Sequence, residues 1–126
     1  MEVSKENVHS TLMLDPANNI CCDCGNFAVS FNIGQPNPTF AAVNNGVVLC
    51  SNCASTHKTF GDDISFIKSL ITDEWDTRSF LYMRLGGNAN FRAFLQSYNL
   101  DHEIPIIKYR TKAAEYYRMR VTKSGV

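Results

Sequence analysis

A chain of 126 residues can bury one sizeable core, and its 44% apolar share is ordinary for a globular protein. Twelve Lys and Arg against twelve Asp and Glu leave a formal charge of zero, which excludes a global field able to gather nucleic acid or membrane. No stretch approaches the roughly 20 consecutive apolar residues of a membrane span, and the opening Met1-Glu2-Val3-Ser4-Lys5-Glu6-Asn7 lacks the apolar core of a signal peptide.

These features predict a cytoplasmic chain, in which five cysteines point to metal ligation or redox chemistry rather than stable disulfides. Basic residues are unevenly spread. Only Lys5 precedes Lys58, whereas six Lys and Arg fall between Lys108 and Lys123. A basic face in the second half suits acidic protein, phosphate or anionic lipid, or is a solvated helix surface with no partner.

In chain order, Val8, Thr11 and Leu12 mark a short amphipathic helix ended by Asp15-Pro16. Phe27, Val29, Phe31 and Ile33 then alternate as a strand or hairpin arm, which Pro36-Asn37-Pro38 breaks. Gly46-Val47-Val48-Leu49 reads as a short strand leading to Cys50, and Ser51 to Thr59 as a helix stopped by Gly61. Ile64 to Leu70 is a second strand candidate. Thr72 or Asp73 can cap a helix in which Trp75, Ser79, Tyr82 and Met83 recur, up to Gly86-Gly87. Asn88 can cap the next, with Phe91, Phe94, Leu95 and Tyr98 on one stripe. After a break at Asp101 to Pro105, Ile106, Tyr109, Ala113, Tyr116 and Tyr117 carry the last helical pattern. The aromatic stripes read as core. Strands first and helices last make an α+β chain with a helical C-terminal half.

Cys21-x-x-Cys24 and Cys50-x-x-Cys53 are two knuckles able to surround one zinc ion with four thiolates. Such a site has no open position, so the zinc is structural and contributes to folding. Cys22 crowds the first knuckle, but the two-residue gap from Cys21 to Cys24 is the ordinary one, which leaves Cys22 as a non-ligand. A redox dithiol would require a βαβ context that neither pair has. A nucleic-acid zinc ribbon would require basic residues near the knuckles, and residues 20–57 contain no Lys or Arg.

Around these knuckles the ordered blocks Cys21-x-x-Cys24-Gly25, Pro38-Thr39-Phe40-Ala41, Asn44-x-Gly46-Val47, Cys50-x-x-Cys53 and His57-Lys58-x-x-Gly61 resemble the ArfGAP signature. Ile64 to Leu70, Asp73-x-Trp75, Gly86-Gly87-Asn88, Lys108-Tyr109 and Ala113 to Arg118 are similar to its later blocks, particularly in the Golgi-associated subgroup. The resemblance implies a small central sheet surrounded by helices, with a four-cysteine zinc site. It implies one domain over residues 1–126, with a zinc module at about 18–61 and a strand and helical part at about 62–122. Its function would be acceleration of GTP hydrolysis on an Arf-family GTPase in the GTP state. The chain is then a regulator rather than an enzyme with its own substrate, working as a monomer at Golgi or endosomal membranes that it reaches through other segments. Coat proteins are further candidate partners, and nucleic acid is not expected.

At the position of the family's finger arginine stands Lys58. A finger is worth roughly 10³ to 10⁵ in rate, or about 4–7 kcal/mol of barrier. Lysine keeps the charge but lacks the planar fork that meets two phosphate oxygens, so weakened activation is expected. The alternatives are a catalytically inactive Arf- or coat-binding adaptor, or a lysine with no role. The face expected to meet the GTPase contains the metal helix and the second strand, with Phe40, Ile64, Phe66 and Lys68 as candidate contacts. Phe40 replaces a usual tryptophan, Ser55 a glycine and Asp63 a histidine, and Asp62-Asp63 could draw Lys58 into a weak ion pair. The stretch from Cys24 to Cys50 is about nine residues longer than usual, which costs little in closure entropy.

Overall fold

The structure, a computed structural model, describes residues 2–3, 5–25 and 39–124. The expected strand arm at Phe27 to Ile33 and its proline break lie outside the described residues. In chain order the elements are β1 (Glu2–Val3), α1 (Lys5–Leu12), a 3-10 turn (Pro16–Asn19), β2 (Phe40–Ala42), a second 3-10 turn (Val43–Asn45), β3 (Val47–Leu49), α2 (Ser51–Lys58), β4 (Ile67–Ser69), β5 (Trp75–Asp76), α3 (Thr77–Leu85), α4 (Asn88–Gln96), α5 (Pro105–Lys108) and α6 (Lys112–Ser124).

Three short antiparallel strands form the central sheet in the order β3-β2-β4, so that Ala41 lies opposite Val48 and Lys68, and Ala42 opposite Val47 and Ile67. Side chains alternate across a sheet. Ala42, Val47 and Leu49 accordingly join a cluster with Phe91 and Leu95 of α4, Tyr109, and Tyr117 and Val121 of α6. Ala41 and Val48 join Val8 and Leu12 of α1, Leu70, Trp75 and Met83 of α3 on the other side. Every residue of β3 is buried because helices cover both faces. Each fully buried apolar side chain of this size contributes about 1.5–3 kcal/mol before ordering entropy is set against it.

Local chemistry explains several boundaries. Asp15 accepts from the Ala17 N–H at 3.0 Å and starts the first 3-10 turn, with Pro16 at its first position. Gly46 ends the second in the left-handed region (φ 66°) and lies back to back with Gly86. A Cβ on Gly86 would stand 2.9 Å from the Gly46 Cα, and the Gly87 N–H donates to the Gly46 carbonyl at 2.7 Å. The glycine pair thus ends α3 and also lets it meet the sheet closely.

The structure departs from the sequence reading at four places. The strand expected over Ile64 to Leu70 begins only at Ile67, because the Gly61 carbonyl takes the Ile64 and Ser65 N–H groups into a turn. Trp75 lies in β5, which pairs with β1, and α3 starts after it; Asp76 caps that helix by accepting from the Ser79 N–H at 3.1 Å, while Asp73 accepts from the Ser69 N–H instead. Asn88 does not cap α4. Its buried side chain accepts from the Val48 N–H at 2.7 Å and donates to the Ile20 carbonyl at 2.8 Å, joining β3 to the segment before the first knuckle. The strand Phe40–Ala42, the middle of the sheet, was not anticipated.

Candidate functional site

Both knuckles are positioned by backbone bonds. The Cys22 N–H donates to the Val48 carbonyl at 3.0 Å, clipping the first knuckle to β3, and the Gly25 N–H closes its turn on the Cys21 carbonyl at 3.0 Å. Cys50 follows β3 directly and caps α2, with its sulfur accepting from the Cys53 N–H at 3.5 Å. One strand therefore fixes both pairs.

The Sγ atoms of Cys21, Cys24, Cys50 and Cys53 all lie within 4.8 Å of one another, and those of Cys24 and Cys50 are 3.7 Å apart. Zinc–sulfur bonds of about 2.3 Å in a tetrahedron put sulfurs about 3.8 Å apart, so this donor set fits zinc with little adjustment. The hydrogen bond shared with Cys53 holds the Cys21 thiol below its usual range against the raising effect of burial, and the same contact raises Cys53. Cys22 stands outside the cluster, and burial pushes its thiol up to about 12, the behaviour of an inert core cysteine.

Asp23, between the cysteines of the first knuckle, organises a buried polar network that the sequence reading missed. Its Oδ2 lies 2.7 Å from His57 Nε2, and its Oδ1 accepts from the Tyr109 hydroxyl at 2.6 Å and faces Lys108 Nζ at 3.4 Å. The other ring nitrogen of His57 lies 2.6 Å from Ser65 Oγ, and the histidine is 0% exposed. Burial alone would raise the Asp23 carboxyl, but the His57 hydrogen bond and the charges of His57 and Lys108 hold it below the usual carboxylate range. One signal was available: Asp23 is the only acidic residue between Asp15 and Asp62.

Lys58, the last residue of α2, is exposed, and its ammonium stands 5.9 Å from the centre of the Phe40 ring. These two candidates are brought together. Asp62 and Asp63 form no ion pair with Lys58 among the described residues; their carbonyls instead accept from the Asn44 side chain at 3.2 Å. Ile64 sits in the turn after α2 and shares a surface hollow with Arg118 and Met119 of α6. Phe66 is exposed beside the sheet. Lys68 lies opposite Ala41, on the face of the sheet away from Phe40, where it bonds the Glu74 carbonyl and covers the Trp75 ring at 5.6 Å.

Sheet, clustered sulfurs and covering helices define a small α+β domain built around a four-cysteine zinc knuckle. Residues 6–124 match the ArfGap family model, described as "Putative GTPase activating protein for Arf", and the chain belongs to that family. Zinc is its structural cofactor. ADP-ribosylation factor GTPase-activating protein 3 from Bos taurus is 35% identical over 107 residues, 84% of this chain and 19% of that protein. ADP-ribosylation factor GTPase-activating protein GCS1 from Saccharomyces cerevisiae is 34% identical over the same length, 84% of this chain and 28% of that protein. The chain thus spans less than a third of the length of these relatives. The crystal structure of a "putative GTPase activating protein for ADP ribosylation factor" from Cryptosporidium parvum superposes with a TM-score of 0.82 at 24% identity, covering 99% of this chain and 96% of that chain, which establishes the fold. No helix among the described residues is long and apolar enough to cross a membrane.

Proposed function

We propose that this chain accelerates GTP hydrolysis on an Arf-family GTPase in trans, with Lys58 approaching the phosphates and one zinc ion held by Cys21, Cys24, Cys50 and Cys53. The observation that carries the reading is the placement of Lys58. Its helix starts within the sulfur cluster, its neighbour His57 is buried, and Lys58 itself emerges beside Phe40. A charged group on so fixed a helix end is organised before the partner arrives, which is what electrostatic stabilisation of a phosphoryl transition state requires. The GTPase supplies magnesium and the attacking water. This chain supplies position and one cation to a reaction that the GTPase carries out.

A lysine makes a point contact where an arginine makes two parallel ones, so the acceleration is weaker than an arginine finger would give. Phe40 offers an apolar contact beside Lys58, Ile64 and Phe66 are further candidate contacts, and Lys68 meets a partner only where that partner reaches round the sheet edge. The relatives' names support activation over the adaptor reading. Residues 1–126 then act as one monomeric zinc domain, in the cytoplasm and at Golgi or endosomal membranes, with coat proteins as further partners. Single-turnover hydrolysis of Arf-bound GTP tests the role of Lys58. Lys58→Ala is expected to abolish the acceleration and Lys58→Arg to raise it about tenfold or more; full activity in Lys58→Ala would remove Lys58 from the chemistry.

A further inference from the structure

A second surface, formed by the end of α3, α4 and α6, has no part in this reading. It frames an open hollow of about 420 Å³ lined by Leu85, Asn90, Phe94, Tyr117, Arg120 and Val121, none of them from α2 or β4. Phe94 is the centre of an aromatic array, with ring centroids 5.2 Å from Tyr98, 5.2 Å from Tyr117 and 6.2 Å from Tyr116. Several of these groups face water: Leu85 is 42% exposed, Tyr98 56% and Tyr116 55%. Leu85, Phe94, Tyr117 and Val121 give the hollow its apolar side and Asn90 and Arg120 its polar side, the mixed lining by which a pocket holds an apolar group while polar atoms orient it.

Charge around it is one-sided although the whole chain is neutral. No Asp or Glu occurs between Asp76 and Asp101, the stretch that supplies α3 and α4. On α6, Lys112, Tyr116, Arg120 and Lys123 recur at spacings of four, four and three, placing them on one exposed side of a helix that contains a single carboxylate, Glu115. Arg120 rests on the Tyr116 ring at 5.9 Å, and none of Lys112, Arg120 and Lys123 forms an ion pair among the described residues.

We propose that this groove binds an acidic peptide segment of a partner protein, one bulky apolar side chain entering between Leu85 and Phe94 while its carboxylates meet Arg120 and Lys123. Tyrosine and arginine are the residue types that concentrate binding energy at such contacts. The concavity favours a peptide over a lipid surface, since an interfacial membrane contact needs an apolar face that projects into the acyl boundary, whereas here the ring of Phe94 forms a floor.

The test uses the zinc-loaded 126-residue chain and fluorescence anisotropy of a labelled peptide of alternating Asp and Glu with one central Phe. Two control peptides replace the acids by Lys, or the Phe by Ser. The acidic Phe peptide is expected to bind and both controls to bind at least about tenfold more weakly. Arg120→Glu and Leu85→Ser, both at exposed positions, are each expected to weaken binding about tenfold, and Arg78→Glu, the same charge change on the first turn of α3, to leave it within about twofold. Equal losses from Arg78→Glu and Arg120→Glu would reduce the effect to bulk charge and overturn the proposal. So would absence of peptide binding, or sedimentation with phosphatidylserine vesicles that Arg120→Glu abolishes while no peptide binds, which would assign the face to lipid.

Discussion

Asp23 is an ionised carboxylate almost removed from water, held by His57, Tyr109 and Lys108, which come from α2 and from α5 and its end. Removing it would leave a buried ammonium, a hydroxyl and an imidazole without their acceptor, and breaking such a pair costs about 3–5 kcal/mol. Asp23→Ala is therefore expected to lower stability by about 3 kcal/mol or more in urea unfolding of the zinc-loaded protein; a loss under about 1 kcal/mol would show that the network contributes little. Asp23 was hard to read, since its partners Tyr109 and Lys108 lie more than 80 residues away and only the folded chain brings them together.

Short elements need defined ends, and α3 illustrates how one is set. The hydrogen bonds from Ser79 lower the Asp76 carboxyl below its ordinary range, so the cap favours the ionised form. Its contribution is fully present above the unfolded pKa of about 3.9 and is lost as pH falls through the lower native value. Asp76→Ala is expected to cost about 1 kcal/mol at neutral pH, with the gap to the natural protein narrowing as pH falls below the unfolded pKa of about 3.9. A constant gap across that range, in thermal melts at successive pH values, would locate the effect elsewhere than the ionised cap. The helices were legible from their apolar spacing: α2, α4 and α6 fall where Cys50, Phe91 and Tyr116-Tyr117 suggested. Three-residue strands are too short for alternation to declare them. Phe40–Ala42 became a strand because Leu49 and Ser69 pair on either side of it, and Asn88 left its capping role because Val48 offered a buried N–H.

At the scale of the molecule, the sulfur cluster joins the Cys21–Cys24 knuckle to the end of β3 and the first turn of α2. The zinc site was the most legible feature because metal geometry dictates cysteine spacing directly. One zinc per chain is expected, and removing it with a strong chelator should abolish the cooperative thermal transition, since metal-binding energy is folding energy in such domains. Retention of the same melting temperature without metal would make the site dispensable. Function depended on several ordered blocks in the sequence, and geometry then added what they could not show: Lys58 and Phe40 stand together while Lys68 faces away.

The most direct measurement is single-turnover GTP hydrolysis by a panel of Arf proteins on lipid vesicles, with rising concentrations of the natural chain. A rate that climbs with chain concentration and saturates above the intrinsic rate is the expected result. An unchanged rate across the panel, with zinc bound and the chain folded, would contradict the activator assignment.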